Sequence, residues 1–200
     1  AGFSFGPARF RIRGYNSENT PVFINGIRVN DLEGGRAVWS QWGGLNDITR
    51  GLEVQTGVTA NPYHFGGIGG FSNITTDAGS FRKETKASYA LSNRTYAHRI
   101  MFTTSTGLMK NGWAFTFSGS RRYANEGYVE GTSFDAWAYF LGIEKRLNKR
   151  HRFNFTFFGA PLTQGRSGIA VSEIHQLTGN NYYNPFWGYQ DGEKRNARVV

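Results

Sequence analysis

Regular alternation of bulky and small side chains across residues 80–158 constrains the fold of this chain more than any other feature. From Trp113 to Ser120, aromatic residues occupy alternate positions as far as Phe117, with alanine, threonine and serine between them. Successive side chains of a β-strand point to opposite faces, so this period indicates strands with one aromatic face and one small, polar face. A strand of about 9–11 residues can cross a membrane, whereas an average soluble strand has about 5–6. We therefore predict a membrane-spanning wall, with lipid-facing residues Trp113, Phe115, Phe117, Trp137, Tyr139, Leu141, Phe153, Phe155 and Phe157.

The connections between these strands differ in length in a regular order. Lys110–Gly112 and Asn148–Arg150 are short turns, whereas Tyr123–Ser133 and the chain after Gly159 are long. Short turns on one side and long loops on the other are typical of an outer-membrane β-barrel, which this chain would enter at Ser80 from the periplasmic side. The predicted strands are Phe81–Leu91, Tyr96–Leu108, Gly112–Arg122, Phe134–Leu147 and Arg152–Phe158.

The distribution of charge along these strands agrees with a membrane wall. A lysine or arginine on the lipid-facing surface near the middle of a bilayer costs about 2–4 kcal/mol. Central outward positions are uncharged, and Arg121 and Lys145 stand at strand ends. Charge does occur at inward positions, as in Arg99 and Glu144. A β-sandwich that buries one face stays as the alternative, because its strands alternate in the same way.

Composition narrows the class of protein. The chain has 38% hydrophobic residues, no cysteine and a formal net charge of +9. No run approaches the roughly 18 consecutive apolar residues of a membrane helix, and the absence of cysteine excludes disulfides and thiolate metal sites. The positive charges are spread over turns and strand ends, which favours solvation at the rim of a sheet over a nucleic-acid-binding patch.

The residue patterns of catalysis are missing from the sequence. The histidines do not have the spacing of metal ligands, and the Ser-Gly pairs lack the flanking residues of a nucleophile elbow. Glu126, Glu130 and Asp135 form an acidic loop group that suits either solvation or the binding of a cation or substrate. We predict that the chain is not an enzyme and uses no cofactor and no metal.

Residues before the wall form short β-elements separated by glycine-rich loops. Asn25–Gly26 lies between two short apolar runs and predicts a tight type I′ hairpin. Leu52–Gln55 and Phe71–Thr76 are predicted as two further short strands. A change of composition at Asp77–Ser80 separates this first segment from the wall.

Several motifs of the first segment follow one another in a characteristic order. An Ile-Arg-Gly strand at residues 12–14 precedes the Asn-Gly hairpin and a Glu-Val strand at residues 53–54. A tyrosine–glycine loop with two Gly-Gly pairs and an Ile-Thr-Thr exit follow at residues 63–76. Together they resemble the plug domain of TonB-dependent outer-membrane receptors. The stretch Val38–Gly44, with Asn181–Asn184, is similar to receptors of the Bacteroidetes lineage.

The resemblance implies a domain organisation and a fold class. Residues 1–79 would be the C-terminal part of an α+β plug domain, and residues 80–200 the first strands and extracellular loops of the barrel. The expected fold is all-β, a fragment of a plugged antiparallel transmembrane β-barrel. Arg11 and Arg13, on a plug strand, are candidates for contact with the barrel wall, and a solvated strand edge is the alternative.

The resemblance also implies a location, a function and partners. The protein is expected in the cell outer membrane, importing a bulky, scarce solute of the glycan, peptide, siderophore or cobalamin class. Energy would come from the TonB complex, through a segment that precedes this chain. The further expected partners are outer-membrane lipid and a surface lipoprotein, and no nucleic acid is expected.

Aromatic loop residues are the candidates for ligand contact. Trp39 and Trp42 lie in the first segment, and Tyr182, Tyr183 and Trp187 follow the last predicted strand. Aromatic rings beside amide side chains suit the capture of carbohydrate or peptide, and they equally suit packing within a loop. The alternative function is that of a soluble, secreted β-sandwich that binds glycans through an aromatic platform.

Overall fold

The computed structural model describes residues 14–58, 62–63, 68–93, 96–167, 171–180 and 182–196. This part of the chain is mostly β-structure, in sheets of four, six and two strands. The elements are β1 (Val22–Ile24), β2 (Ile27–Arg28), β3 (Gly51–Gln55), β4 (Phe71–Thr75), β5 (Glu84–Leu91), β6 (His98–Ser105), β7 (Trp113–Ala124), β8 (Ser133–Arg146), β9 (Arg152–Gly159), β10 (Leu162–Gly165), α1 (Val171–Thr178), β11 (Trp187–Gln190) and β12 (Glu193–Asn196).

The four-stranded sheet, here called the small sheet, has the order β2-β1-β4-β3. Asn25 and Gly26 join β1 to β2 with φ angles of 52° and 80°, the left-handed conformations that a type I′ turn needs. The predicted hairpin and the two further predicted strands are confirmed as β1–β2, β3 and β4. β1 pairs with β4 in parallel, a long-range contact that local periodicity does not reveal.

The six-stranded sheet, here called the large sheet, contains an antiparallel meander in which β5 to β9 pair in sequence order. Each of the predicted wall strands is present, with ends that differ by a few residues from the prediction. β7 and β8 have 12 and 14 residues, well above the soluble average of about 5–6. Within the described residues the sheet does not close on itself.

β9 and β10 lie end to end along β8 in one register. Tyr139 pairs with Gly159 and Ala136 pairs with Leu162, so no residue is inserted between the two strands. Pro161, which has no amide hydrogen, stands at the junction, and its carbonyl oxygen accepts a hydrogen bond of 3.0 Å from the β8 backbone. The prediction of a long loop directly after β9 is therefore wrong, because the edge strand continues through β10.

Two further elements follow β10. α1 is a helix of 8 residues, and β11 and β12 form a hairpin closed by Asp191 and Gly192, which have φ angles of 53° and 81°. Neither element was predicted, because this region has no sustained apolar periodicity. No helix in the described ranges is long and apolar enough to cross a membrane.

The main hydrophobic core lies between the small sheet and one face of the large sheet. β1 and β4 supply aliphatic side chains from one side, β8 supplies side chains from the other, and residues 42–48 fill the space between them. The buried members are Val22, Ile24, Trp42, Leu45, Ile48, Ile74, Ala138 and Phe140. The first segment thus covers one face of the large sheet.

Candidate functional site at the two faces of the large sheet

The outer face of the large sheet, which points away from the small sheet, is aromatic and exposed. Phe115 is 39% exposed, Tyr139 42% and Phe155 57%. Phe115 pairs with Ile143, and Ile143 pairs with Phe155, so aromatic and aliphatic positions on neighbouring strands point the same way. The same alternation places on this face all the residues predicted to face lipid, which are Trp113, Phe115, Phe117, Trp137, Tyr139, Leu141, Phe153, Phe155 and Phe157.

Aromatic rings of the outer face contact one another along and across strands. The ring centroids of Trp113 and Phe115 are 5.7 Å apart, and those of Tyr139 and Phe157 are 5.8 Å apart. The Lys145 ammonium group lies 4.7 Å from the centre of the Trp113 ring, within the range of a cation–π contact. Ring contacts therefore occur both along β7 and between β8 and β9, and a cation lies at one end of this face.

The other end of the outer face carries an ion pair. Nε and Nη2 of Arg121 lie 3.0 and 2.9 Å from the two carboxylate oxygens of Asp135, which is a bidentate arrangement. The guanidinium group also lies 4.9 Å from the Trp137 ring centre and 5.1 Å from that of Tyr123. Asp135, a member of the predicted acidic loop group, is thus engaged within the chain. Glu126 accepts a hydrogen bond from a loop amide at 3.0 Å.

The inner face of the large sheet is buried under the first segment. It carries hydroxyl side chains on β6 and β7, whereas β8 contributes Ala138 and Phe140 to the main core. Ser118 is 0% exposed and Thr116 1%. The hydroxyl groups of Thr103 and Ser118 are 2.7 Å apart, and Thr116 donates to Ser105 at 3.0 Å. These bonds offset the cost of burying hydroxyl groups, about 1–3 kcal/mol each when unpartnered. On β7 the aromatic side chains are exposed and the hydroxyl side chains are buried, which is the reverse of a half-buried sheet in water.

Asp47 of the first segment makes the first of three polar contacts with the large sheet. Its carboxylate accepts hydrogen bonds from Lys86 of β5 at 3.0 Å and from Thr103 of β6 at 3.3 Å. Nearby, the Ser120 hydroxyl donates to the Gly44 carbonyl oxygen at 2.8 Å. Side chains of three neighbouring strands therefore hold the segment that includes residues 44–47.

Glu144 of β8 makes a second contact, with the end of the first segment. It is 0% exposed, and its carboxylate accepts hydrogen bonds from the Gly79 amide at 2.8 Å and from Arg146 at 2.6 Å. A β-carbon built on Gly79 would lie 2.6 Å from the carboxylate oxygens, so a larger residue here would force the carboxylate to shift. A buried carboxylate needs such partners, because its desolvation is costly.

Asp77 makes a third contact, with the edge strand β9. It accepts a hydrogen bond from Asn154 at 3.1 Å and forms an ion pair with Arg152 at 3.0 Å. Sequence analysis identified neither Asp77 nor Asp47, because each meets partners that are remote in the chain. Of these three acidic residues, only Glu144 stood out in the sequence, because it is a charged residue at an inward position of a predicted strand.

The predicted ligand-binding aromatics lie in two places. Trp39 is exposed and its ring contacts that of Trp42 at 5.6 Å, whereas Trp42 is 5% exposed and belongs to the main core. Tyr182 and Tyr183 are exposed, and Trp187 begins β11. No ring contact among the described residues joins the two groups. Their role in ligand binding stays a prediction.

The segment before β11 is attached to the loop between β7 and β8. The Asn184 amide donates to the Glu130 carbonyl oxygen at 2.8 Å. The Trp187 ring lies against Gly131, where a side chain would collide with it. Trp187 thus packs within the chain. Arg11 and Arg13, the predicted plug–wall contacts, lie outside the described residues.

The described residues contain no group of three or more His, Asp or Glu side chains placed to hold a metal ion. The chain matches no protein-family model, and it matches none of the curated proteins with which it was compared.

Proposed function

We propose that this chain is part of a TonB-dependent outer-membrane transporter that imports a bulky, scarce solute through a plugged β-barrel. Residues 1–79 are the C-terminal part of the plug, and residues 80–200 are the first strands and external loops of the wall. The observation that carries the proposal is the inverted pattern of β7, whose aromatic side chains are exposed while its hydroxyl side chains are buried beneath the first segment.

A lipid environment accounts for the outer face. Exposed aromatic surface is favourable in hydrocarbon and unfavourable in water, at about 25 cal/mol per Å² of apolar area. The charged groups on this face, Lys145 and the Arg121–Asp135 pair, lie towards the strand ends, where lipid headgroups and water would solvate them. Loops after β6 and β8 would face the periplasm, and those after β5 and β7 the exterior.

A plug accounts for the first segment. A wide barrel needs a domain that fills its lumen, and such a domain meets the polar inner face of the wall. The contacts of Asp47, Asp77 and Glu144 are polar, and they join the first segment to four strands of the large sheet, β5, β6, β8 and β9. By resemblance, energy transfer through the TonB complex would rearrange the plug and open a path for solute.

The wall is tested by fluorescence quenching with brominated lipid. The full-length protein is reconstituted in phosphatidylcholine vesicles with and without bromine on the acyl chains, and intrinsic tryptophan emission is compared. We expect strong quenching in brominated vesicles, and a clear loss of that quenching in the Trp113→Phe/Trp137→Phe variant. Equal emission in both vesicle types would contradict a lipid-facing wall.

The soluble glycan-binding β-sandwich is the competing function, because an exposed row of aromatic rings also suits sugar stacking. It predicts a monodisperse protein in buffer without detergent. The transporter predicts fractionation with the outer membrane and a growth defect of a deletion strain on one class of nutrient. Comparing growth on glycan, peptide, iron–siderophore and cobalamin sources would identify the solute class.

A further inference from the structure

Two arginines lie directly opposite each other on the inner face. Arg99 of β6 and Arg122 of β7 are Cα partners in the antiparallel register. Side chains at such paired positions have β-carbons about 4.5–5.5 Å apart, and like charges placed there repel. A sheet therefore bears an electrostatic cost at this pair unless an anion neutralises it.

The described structure supplies no carboxylate for either guanidinium group. The Nε atoms of both Arg99 and Arg122 are buried and have no hydrogen-bond partner. The one hydrogen bond from Arg99 goes to the sulfur of Met101 at 3.0 Å, a weak acceptor, and Arg122 lies 5.8 Å from the Phe134 ring centre. By contrast, the neighbouring Arg121, on the outer face, is fully paired with Asp135.

The backbone of the first segment passes close to Arg122. A β-carbon built on Gly44 would lie 3.2 Å from Arg122 Nε, so the glycine allows the chain to approach the arginine closely. Gly44 has a φ of 98°, a conformation that favours glycine. The arginine pair thus lies where the first segment meets the inner face. Arg99 is one residue from the start of β6, and Arg122 is two residues from the end of β7.

We propose that Arg99 and Arg122 form a binding site for an anionic group, a carboxylate or a phosphate. Two guanidinium groups offer planar, forked donors that match the oxygen pairs of either anion. The identification of this anion with part of the imported solute rests on the proposed function. If the loops after β5 and β7 face the exterior, as in the proposed barrel, the site faces the external side of the lumen, beside the plug.

The test is titration of the full-length protein in detergent micelles with inorganic phosphate and, separately, with acetate, followed by ³¹P or ¹³C line broadening. We expect saturable binding of at least one probe and a loss of about tenfold or more in affinity in Arg99→Gln and Arg122→Gln. Arg121→Gln is the matched control, because it removes the same charge one residue away on the outer face and should leave binding unchanged. The preferred probe distinguishes a phosphate from a carboxylate ligand.

Two outcomes would overturn the proposal. One is equal loss in Arg121→Gln, which would indicate a diffuse charge effect. The other is the absence of saturable binding of both probes to the unmodified protein. Arg122→Lys, which keeps the charge and loses the fork, serves as a second variant and should bind more weakly while folding normally. Binding in micelles does not depend on lipid quenching, so a failure here leaves the transporter proposal standing.

Discussion

Glu144 is fully buried in β8 and accepts a 2.8 Å hydrogen bond from the backbone amide of Gly79, which precedes it by 65 positions. This contact fixes the point at which the chain leaves the small sheet and enters the large one. The second oxygen of the carboxylate is held by Arg146. Through these two hydrogen bonds, Glu144 holds the end of the first segment against the large sheet.

Gly79→Ala should destabilise the protein by about 1–3 kcal/mol, because the added methyl group would overlap the Glu144 carboxylate. Denaturant unfolding in detergent measures the change. Gly119→Ala is the control, since a β-carbon there meets nothing closer than 3.8 Å. Equal stability of the two variants would show that the carboxylate moves aside freely.

Glu144→Gln should lower the free energy of unfolding by about 2–3 kcal/mol, because it removes the charge that Arg146 and the Gly79 amide both contact. Glu126→Gln, at an exposed loop position, is the comparison and should change the stability by less than about 0.5 kcal/mol. A fully stable Glu144→Gln protein would contradict the role given to this carboxylate.

The Asp47–Lys86 pair should be more strongly coupled than the Arg121–Asp135 pair. Asp47 is buried and shares its carboxylate with Thr103, whereas both members of the outer pair are partly exposed. Exposed pairs typically contribute about 0.2–1 kcal/mol. Two double-mutant cycles with alanine, each followed by denaturant unfolding, compare the coupling energies. A larger coupling for Arg121–Asp135 would contradict this ranking.

Phe115→Lys distinguishes lipid from water at the outer face. In a bilayer, a lysine at this central position should cost about 2–4 kcal/mol and reduce insertion into vesicles. Phe115→Leu, which keeps the apolar surface, should insert normally. In a water-soluble sheet the lysine variant would be tolerated and more soluble, and that result would count against the membrane wall.

Periodicity predicted β5 to β9 because bulky and small side chains alternate through this part of the chain. The alternation at Trp113–Phe117 reports the local direction of each side chain, so the outer and inner positions followed directly. The Asn25–Gly26 turn was predictable for a similar reason, because the positive φ angles of a type I′ turn favour asparagine and glycine.

Features that depend on distant partners were not predictable in this way. The last strand was predicted to end at Phe158, yet pairing with β8 keeps β10 in the same register beyond Pro161. The contacts of Asp47 and Asp77 require the path of the chain between the sheets, which no local pattern encodes. Arg99 and Arg122 become neighbours only through strand register.

The large sheet ends at β5 on one side and at the β9–β10 strand on the other. Along both borders, backbone amide and carbonyl groups on the outer edge of the strand have no neighbouring strand to hydrogen-bond with among the described residues. In hydrocarbon each such group would cost several kcal/mol, and in water it would recruit any extended peptide that came near. In the proposed barrel, folding would therefore require further strands to pair with these borders, and this region expressed by itself would be expected to aggregate.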